Sequence, residues 1–367
     1  MRVPASYTRI IAIANVAVVT VAIAGLSLLP DGETPATPKA SARVGLSAPV
    51  TPPQTRPSDA SQPPGVVATP EFARQVRANE AGLVPVIMYH RILRKRVASI
   101  DRTPAQLRKE LEKLAKQGYV PITAREFVTG DIKVPAGRFP VVLTFDDGHP
   151  SHFALDASGN PKPDTAVGVL LDVAARYPSF RPTATFWVTR EPFGLRDRER
   201  QTAAVRWLVD HGFEVANHTW SHPDLRRLGK KKVREQIVRL ERLLKKVGAP
   251  PDKTLALPYG SLPRPKKLAR TGSWDGTRYD FAGVFLAGAE PSLSPYAKKF
   301  DPGAIQRIQS NGKRGECRKW CSQYWLEWLS KHPGERYVSD GDPGRISIPG
   351  KLRGNINPKR ESQIIAY

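Results

Sequence analysis

Short apolar runs alternate with longer amphipathic segments through the middle of this chain. Six runs have the length and β-branched content of buried strands, and they lie at residues 84–90, 119–122, 141–145, 183–188, 214–216 and 254–257. Apolar residues recur at helical spacing in the segments between them, at residues 103–118, 166–177, 201–211 and 233–247. This alternation predicts an α/β fold with a parallel sheet. Residues 281–286 and 305–308 are predicted as the last strands of the sheet.

The first 30 residues have a different pattern. Residues 10–29 contain no charged side chain, and about 20 apolar residues are enough for a helix to span a bilayer. Arg2 and Arg9 precede this run, and positive charge keeps that end of a span in the cytoplasm. Residues 40–42, Ala-Ser-Ala, resemble a cleavage site, so residues 1–30 are predicted as a membrane anchor or a signal segment. Either outcome places the remaining chain outside the cytoplasm, anchored or secreted.

Residues 31–80 are rich in Pro, Thr and Ser and show little apolar periodicity. A segment of this composition cannot bury enough apolar surface to offset its chain entropy, so we predict a disordered linker. Residues 81–367 are predicted to form one folded domain, with an unassigned C-terminal extension from about residue 311. The linker would hold this domain away from the membrane.

The formal net charge of +23 bears on the choice of partner. Clusters of Lys and Arg bind phosphate backbones, but the chain has no zinc-finger spacing, homeodomain-like helix or aromatic and basic RNA-binding strand. Anionic polymers outside the cell also attract a cationic protein. We therefore predict no nucleic-acid partner. The sequence gives no indication of the oligomeric state.

The two cysteines, Cys317 and Cys321, are four residues apart. Outside the cytoplasm an even number of cysteines is typical of a disulfide, which is our prediction. Two metal ligands are an alternative, although no further His or Cys lies near them at a matching spacing. Two free, packed thiols are the other alternative.

Two adjacent carboxylates, Asp146 and Asp147, follow the apolar run at residues 141–145. Asp-Gly after a strand also predicts a hairpin turn. However, residues 149–153 do not alternate apolar and polar side chains as a returning strand would. We therefore expect the strand to deliver both carboxylates to one end of the sheet.

His218 and His222 follow the short strand at residues 214–216 and are four residues apart. This spacing can place two imidazoles on one side of a single turn, where both can bind one cation. In a parallel α/β fold the loops at the carboxyl ends of the strands share one face, which brings Asp147 close to both histidines. Two His and one carboxylate, with a position left for water, are the ligand set of a catalytic zinc.

Zinc in such a site lowers the pKa of its bound water to about 7 and polarises a substrate carbonyl. A base must still accept the proton of the attacking water. Asp146 is adjacent to the predicted ligand Asp147 and is not needed as a ligand itself. We therefore predict that Asp146 is the base.

Several motifs together resemble the polysaccharide deacetylase family, which carries the NodB homology domain and is related to carbohydrate esterase family 4. They are Thr-Phe-Asp-Asp-Gly at 144–148, Ala-Thr-Phe at 184–186 and Asn-His-Thr-Trp-Ser-His-Pro-Asp-Leu at 217–225. Pro-Val-Ile-Met-Tyr-His at 85–90 resembles the start of the poly-N-acetylglucosamine deacetylase-like branch. The resemblance implies a distorted (β/α) barrel of NodB type. It also implies a divalent metal on Asp147, His218 and His222, with Asp146 as the base.

The resemblance extends to Pro258-Tyr259-Gly260, where the backbone N–H of Tyr259 is expected to stabilise the oxyanion of the reaction and Pro258 to contact substrate. The sequence departs from much of the family at Ala256, where an Arg often stands. This departure leaves open how the base is oriented. Arg307 is a candidate for the missing guanidinium.

The late leucine-plus-histidine motif that supplies the family's general acid has no clear match. His332 is a candidate for this acid, with an ordinary surface histidine as the alternative reading. Two further residues are predicted to contact substrate: His90, which ends a predicted strand, and Trp220, which lies between the two predicted histidine ligands.

The sequence therefore predicts a metal-dependent hydrolase that removes N-acetyl groups from an extracellular or cell-envelope polysaccharide containing N-acetylglucosamine. The expected cofactor is Zn²⁺ or another divalent metal such as Co²⁺. The expected partners are the carbohydrate polymer and, through the N-terminal helix, the membrane. Two alternatives remain: an acetyl ester hydrolase acting on a decorated polysaccharide, and a non-catalytic carbohydrate-binding module on the same fold.

Overall fold

The computed structural model describes residues 67–314 and 317–367. The predicted membrane segment at residues 10–29 and most of the predicted linker lie outside the described residues. Within the described part of the chain, no helix is both long enough and apolar enough to cross a bilayer. The first helix, α1 (Pro70–Val76), lies inside the segment predicted as linker. Ordered structure thus begins before residue 81, the predicted domain boundary. Thr69 caps this helix, and Ala73 within the helix is buried.

Eight strands form one sheet, and every pairing within it is parallel. They are β1 (Val86–Tyr89), β2 (Tyr119–Ile122), β3 (Phe139–Phe145), β4 (Thr185–Val188), β5 (Glu214–Asn217), β6 (Thr254–Ala256), β9 (Gly283–Phe285) and β10 (Ile308–Gln309). Their order is β10-β1-β3-β4-β5-β6-β9, and β2 pairs with the first half of β3. A separate antiparallel hairpin joins β7 (Thr271–Trp274) to β8 (Thr277–Asp280), and the tail contributes a parallel pair, β11 (Ile346–Ile348) and β12 (Ile364–Ala366).

Helices connect most successive strands of the sheet, and most of these helices pack against its outer face. After α1 they are α2 (Pro104–Lys116), α3 (Ala124–Thr129), α4 (Ala166–Arg176), α5 (Arg198–Asp210), α6 (Lys230–Lys246) and α7 (Ser322–Lys331). The predicted start of α2 is confirmed, since Thr103 accepts a hydrogen bond from the backbone N–H of Gln106 and the Gln106 side chain accepts one from the N–H of Thr103. This reciprocal cap fixes where the helix begins.

The sheet curls until its two ends approach each other. Ile305 forms a parallel bridge with Phe285 at the end of β9, and three residues later Ile308 pairs with Ile87 of β1. One short segment therefore contacts both edges of the sheet. A curled parallel sheet with helices on its outside fits the predicted distorted (β/α) barrel of NodB type.

Side chains alternate between two cores along each strand. In β3, Val142 packs in a cluster with Trp187 on the inside of the curl, whereas Leu143 packs against the helices together with Phe186. All residues of β3 except Phe139 are buried. The buried strand therefore fixes the position of Asp146, the residue that follows its last residue, Phe145.

The C-terminal tail, unassigned from sequence, packs against the start of the domain. Glu80 is buried and accepts hydrogen bonds from the Tyr337 hydroxyl at 2.9 Å and from the Ser347 N–H at 3.0 Å. Burial, and then the nearby Asp340 carboxylate, raise the pKa of Glu80 well above its usual range. The first and last described segments therefore meet around two buried acids, Glu80 and Asp340.

Candidate functional site

The turn after β3 presents the two adjacent carboxylates. Asp146 is buried, whereas Asp147 has φ 78° and Gly148 has φ 64°. This left-handed turn suits Asp and Gly, and it carries the chain away from the sheet. The alternative of a hairpin turn is wrong here, because β3 pairs only in parallel with β1, β2 and β4 in the described chain.

The turn after β5 presents the two histidines. Thr219 and His222 both have positive φ, 69° and 54°, so the segment is an irregular loop and not the single helical turn that the spacing suggested. The Asn217 side chain shapes this loop: its Oδ1 accepts from the Thr219 N–H at 2.8 Å, and its Nδ2 donates to the Ile237 carbonyl at 3.1 Å. These bonds tie the histidine loop to α6.

Three possible ligand atoms converge where the two turns meet. Nε2 of His218 lies 3.4 Å from Oδ1 of Asp147, and Nε2 of His222 lies 3.3 Å from the same oxygen. Ligand atoms of all three residues lie within 4.8 Å of one another. His218 is buried, whereas the Asp147 side chain is 40% exposed, so the group opens to solvent on one side. The structure thus brings together Asp147, His218 and His222 as the sequence predicts.

A backbone carbonyl sets the tautomer of the buried histidine. Nδ1 of His218 lies 2.9 Å from the Ala256 carbonyl at the end of β6, so Nδ1–H donates and the lone pair of Nε2 faces Asp147. Metal-binding histidines commonly make such an outer hydrogen bond, which fixes the ring orientation.

Arg307 holds the Asp146 carboxylate from inside the curled sheet. Its two terminal nitrogens donate to the two carboxylate oxygens, each at 2.7 Å, and both side chains are buried. Arg307 Nε donates to the Leu286 carbonyl at 2.7 Å, and the guanidinium lies 5.0 Å from the centre of the Trp187 ring. Burial raises the pKa of Asp146, but the charge of Arg307, which lies against both carboxylate oxygens, outweighs it and leaves the pKa below its usual range. Asp146 is therefore an ionised carboxylate in a fixed orientation.

Tyr259 lies at the end of β6 beside the histidine loop. It has φ 58°, and its ring centre is 4.7 Å from that of His222. Within the described chain, no residue accepts a hydrogen bond from the Tyr259 N–H, while buried Pro258 precedes it. Gly260 has φ 64°, and a Cβ there would lie 2.8 Å from the backbone N of Ala287. The turn thus presents a backbone donor near the group of three possible ligands.

His90 follows β1 and lies beside both aspartates. Burial lowers the pKa of His90, while the charges of Asp147 and Asp146 oppose this shift. Its Nδ1 is buried and has no hydrogen-bond partner among the described residues. The buried His152 donates from Nε2 to the His90 carbonyl at 2.8 Å. His90 therefore joins the site with one ring nitrogen still available.

Two other predicted residues have less direct positions. Trp220 lies in the histidine loop with the Arg239 guanidinium 4.3 Å from its ring centre, and its contact with substrate stays a prediction. His332 is exposed at the C-terminal end of α7, where its ring stacks on Trp328 at 4.1 Å and its Nδ1 donates to the Trp328 carbonyl at 2.8 Å. The contacts of the His332 ring are with its own helix, and the structure does not bring it to Asp146.

Cys317 and Cys321 form a disulfide just before α7.

Two residues with positioning roles, Asn217 and Thr144, were not singled out from the sequence. Thr144 donates to the Ile87 carbonyl at 2.9 Å and accepts from Arg307 at 3.2 Å. Their positions in the sequence could have identified them. Each is a polar residue at the end of an apolar strand: Asn217 directly precedes His218, and Thr144 lies two residues before Asp146.

Together, the fold and this site define an α/β protein that holds a candidate metal centre and a separate, ionised carboxylate at the carboxyl ends of its strands. Residues 133–272 match the model of the family described as polysaccharide deacetylase, so this part of the chain is similar to that family. The matched segment includes Asp146, Asp147 and both histidines, whereas Arg307 lies beyond it.

Relatives with assigned activities match over about a third of the chain. The peptidoglycan-N-acetylglucosamine deacetylase of Bacillus cereus is 28% identical over 128 residues, which are 35% of this chain and 39% of that protein. The chitooligosaccharide deacetylase of Sinorhizobium fredii is 35% identical over 109 residues, 30% of this chain and 41% of that protein. The chain thus spans less than half the length of either relative. Among solved structures, IcaB from Ammonifex degensii aligns with a TM-score of 0.46 and 18% identity, over 65% of this chain and 94% of that one.

Proposed function

We propose that this protein is a metal-dependent carbohydrate N-deacetylase that acts on an N-acetylglucosamine-containing polysaccharide outside the cytoplasm. The observation that carries the proposal is the pairing of two different carboxylates. Asp147 faces two histidine nitrogens, while Asp146 beside it is ionised and held by Arg307. The deacetylases among its relatives support the same chemistry.

The three converging residues fit a divalent cation. Two imidazole nitrogens and one carboxylate oxygen are a donor set typical of catalytic zinc, and Co²⁺ accepts the same ligands. The Ala256 carbonyl fixes His218 with Nε2 directed at this position. The cation would polarise the acetyl carbonyl and lower the pKa of a bound water to about 7.

Asp146 would accept the proton of the attacking water. It is buried, ionised and adjacent to Asp147, and Arg307 holds both of its oxygens from the side of the sheet interior. The bidentate contact prevents the carboxylate from rotating and keeps it from serving as a metal ligand in place of Asp147. General bases positioned in this way contribute about 10²- to 10⁴-fold to rate.

Two further groups would complete the reaction. The Tyr259 N–H would donate to the acetyl oxygen as negative charge develops on it, and removing one such donor typically costs about 10²- to 10³-fold in rate. His90, whose Nδ1 has no partner in the described chain, would take the proton that Asp146 removes from water and pass it to the amine nitrogen as the carbon–nitrogen bond breaks. This assignment makes His90 the general acid. His332, the candidate for this role from the sequence, does not lie near Asp146.

The direct test is acetate release from acetylated glucosamine oligomers before and after removal of metal by a chelator. We expect release to stop on chelation and to return on adding Zn²⁺ or Co²⁺. Undiminished release by metal-free protein would contradict the proposal. Release from an acetyl ester but not from the amide would favour the ester hydrolase, and oligomer binding without release of acetate would favour the non-catalytic module.

A further inference from the structure

A second cleft lies at the opposite end of the curled sheet from the candidate metal centre. We call it the basal cleft; its volume is about 1310 Å³, and Leu83 and Phe139 are among its lining residues. Phe139 is the first residue of β3, whereas Asp146 follows the last. At about 3.3 Å per strand residue, roughly 20 Å of sheet separates the two sites. The basal cleft is therefore distinct from the deacetylase site.

Most of the walls of the basal cleft come from segments outside the repeating strands and helices of the sheet. The N–H of Leu83 donates to the Glu335 carbonyl at 2.7 Å, and the N–H of Lys298 donates to the Asn355 carbonyl at 2.7 Å. Gly82 passes so close to the Arg336 backbone that a Cβ would collide with it. These contacts hold the walls in fixed positions, so the cleft is a built feature and not a gap between mobile loops.

The lining of the basal cleft is strongly cationic. It contains a single acidic residue, Glu335, and five cations: Arg77, Lys298, Lys299, Arg336 and Lys351. In the described part of the chain, none of these five forms an ion pair, whereas neighbouring Arg353 pairs with Glu361. Four of the five are exposed at the cleft surface. Uncompensated cations around a concavity attract and hold an anionic ligand.

Arg336 adds an unsatisfied donor to this charge. Its guanidinium lies 3.4 Å from the centre of the Phe139 ring, and its Nε is buried without a hydrogen-bond partner among the described residues. A buried N–H without a partner costs free energy, and a ligand oxygen would remove that cost. The stacking on Phe139 holds the guanidinium in place for such a contact.

The arrangement of the cations favours phosphodiester groups over carboxylates. Residues 77, 298–299, 336 and 351 come from four separate stretches of the chain and surround a concave space. A tetrahedral phosphodiester can be contacted from several sides at once, whereas the acceptor positions of a planar carboxylate lie near one plane. The cleft shape also suits a linear polymer better than the flat surface of a bilayer.

The aromatic residues of the cleft argue against a nucleic acid. Proteins that bind single strands stack bases on free aromatic faces. Here an arginine lies over each aromatic ring of the lining, Arg336 over Phe139 and Arg74 over Tyr367. We propose that the basal cleft binds a linear, base-free polymer of phosphodiester-linked polyol or sugar units. Such binding would hold the protein on an anionic polymer while its catalytic face stays free.

The test is direct binding of a fluorescent ten-unit glycerol phosphate oligomer to the full chain at several salt concentrations. The cleft variant carries Lys298→Gln, Lys299→Gln and Lys351→Gln. The matched control carries Lys162→Gln, Lys245→Gln and Lys246→Gln, three exposed lysines elsewhere that lose the same charge. We expect the cleft variant to bind about 10-fold more weakly or worse, with a shallower salt dependence, and the control to bind like the wild type.

Equal weakening in both variants, or no binding by wild-type protein, would overturn the proposal. Tighter cleft-dependent binding of oligogalacturonate, single-stranded DNA or vesicles containing anionic lipid would overturn the assignment to a phosphodiester polymer. Thermal unfolding of each variant shows whether the fold is intact. Acetate release, measured on the same preparations, should be equal in all three proteins. Because binding is measured directly, a failure of the deacetylase proposal leaves this test unaffected.

Discussion

At the scale of single residues, the site assigns different tasks to chemically identical side chains through their surroundings. Asp146 and Asp147 are adjacent, yet one faces a buried guanidinium and the other faces two imidazoles. The buried ion pair keeps Asp146 ionised and directed, while the left-handed turn leaves Asp147 partly open to solvent. Substitutions at these positions should therefore have separable effects.

Asp146→Asn should retain metal and lower kcat by roughly 10²- to 10⁴-fold, because the amide cannot accept the proton. His218→Ala should lose both metal and activity, because it removes a ligand atom. Elemental analysis of purified protein, combined with acetate release, distinguishes the two outcomes. A fully active Asp146→Asn protein would contradict the role of the base, and a His218→Ala protein with full metal content would contradict the ligand set.

His90→Gln should lower kcat about 100-fold for an acetylated amine, because the departing nitrogen needs a proton. The same variant should hydrolyse 4-nitrophenyl acetate at nearly the wild-type rate, because nitrophenolate leaves without protonation. His211→Gln, at an exposed position at the end of α5, is the control and should affect neither substrate. Equal losses on both substrates would show that His90 only maintains the structure of the site.

At the scale of elements, the turns after the strands determine the geometry of the site. Asp147, Thr219, His222 and Tyr259 all have positive φ, and each lies in a turn that follows a strand of the main sheet. Non-glycine residues rarely adopt this conformation, and clusters of such residues are typical of functional sites. The surrounding sheet and helices hold these turns in conformations that the isolated segments would not prefer.

Gly260→Ala should lower kcat by about 10-fold or more while metal content is retained. The new Cβ would press on the backbone of Ala287 and shift the turn that presents the Tyr259 N–H. Gly212→Ala is the matched control, since Gly212 has φ 80° but open space around it. The control should lose about 1 to 2 kcal/mol of unfolding free energy and keep its activity. Comparable activity in the two variants would argue against the oxyanion role of this turn.

Elements with strong local patterns could be predicted from the sequence, and those defined by distant pairing could not. The predicted helix at 103–118 is observed as Pro104–Lys116, because its capping residues are local. The pair β11 and β12 was missed, since Ile346 finds its partner Ile364 only in the folded chain. The hairpin of β7 and β8 was missed because its residues are mostly exposed or half-buried and show little apolar alternation.

The residues of the candidate site also fall into those that local motifs predict and those that depend on distant contacts. Asp147, His218 and His222 lie in short motifs at strand ends, so parallel topology alone brings them together. The contact of Arg307 with Asp146 joins residues 161 positions apart, and the sequence offered Arg307 only as a candidate. His332 was proposed because few histidines remained, and such elimination carries no information on where a side chain lies.

At the scale of the whole molecule, the start and end of the domain are joined around buried acids at the end opposite the candidate metal centre. Glu80 bonds to Tyr337 and Ser347, and Asp340 lies nearby. The same N- and C-terminal segments form much of the basal cleft, so the stability of this junction maintains the cleft. A buried carboxyl group with a raised pKa makes that stability depend on pH.

Glu80 should destabilise the folded protein progressively as pH rises. Unfolded Glu ionises near pH 4.3, but burial and Asp340 keep folded Glu80 protonated to higher pH. Between these two pKa values the folded state binds more protons, so the unfolding free energy falls with rising pH, by at most about 1.4 kcal/mol per unit for this group. Its stabilising contribution is complete below the unfolded pKa and is lost as pH passes through the folded pKa.

Glu80→Gln should remove this contribution, because the neutral amide can bond to the Ser347 N–H and the Tyr337 hydroxyl at every pH. Chemical denaturation from pH 4 to pH 8 should therefore show the variant gaining stability relative to wild type as pH rises. Glu199→Gln, at an exposed position in the first turn of α5, is the control and should follow the wild-type profile. Parallel pH profiles for Glu80→Gln and wild type would mean that Glu80 ionises normally. In that case the junction would have to accommodate a buried charge.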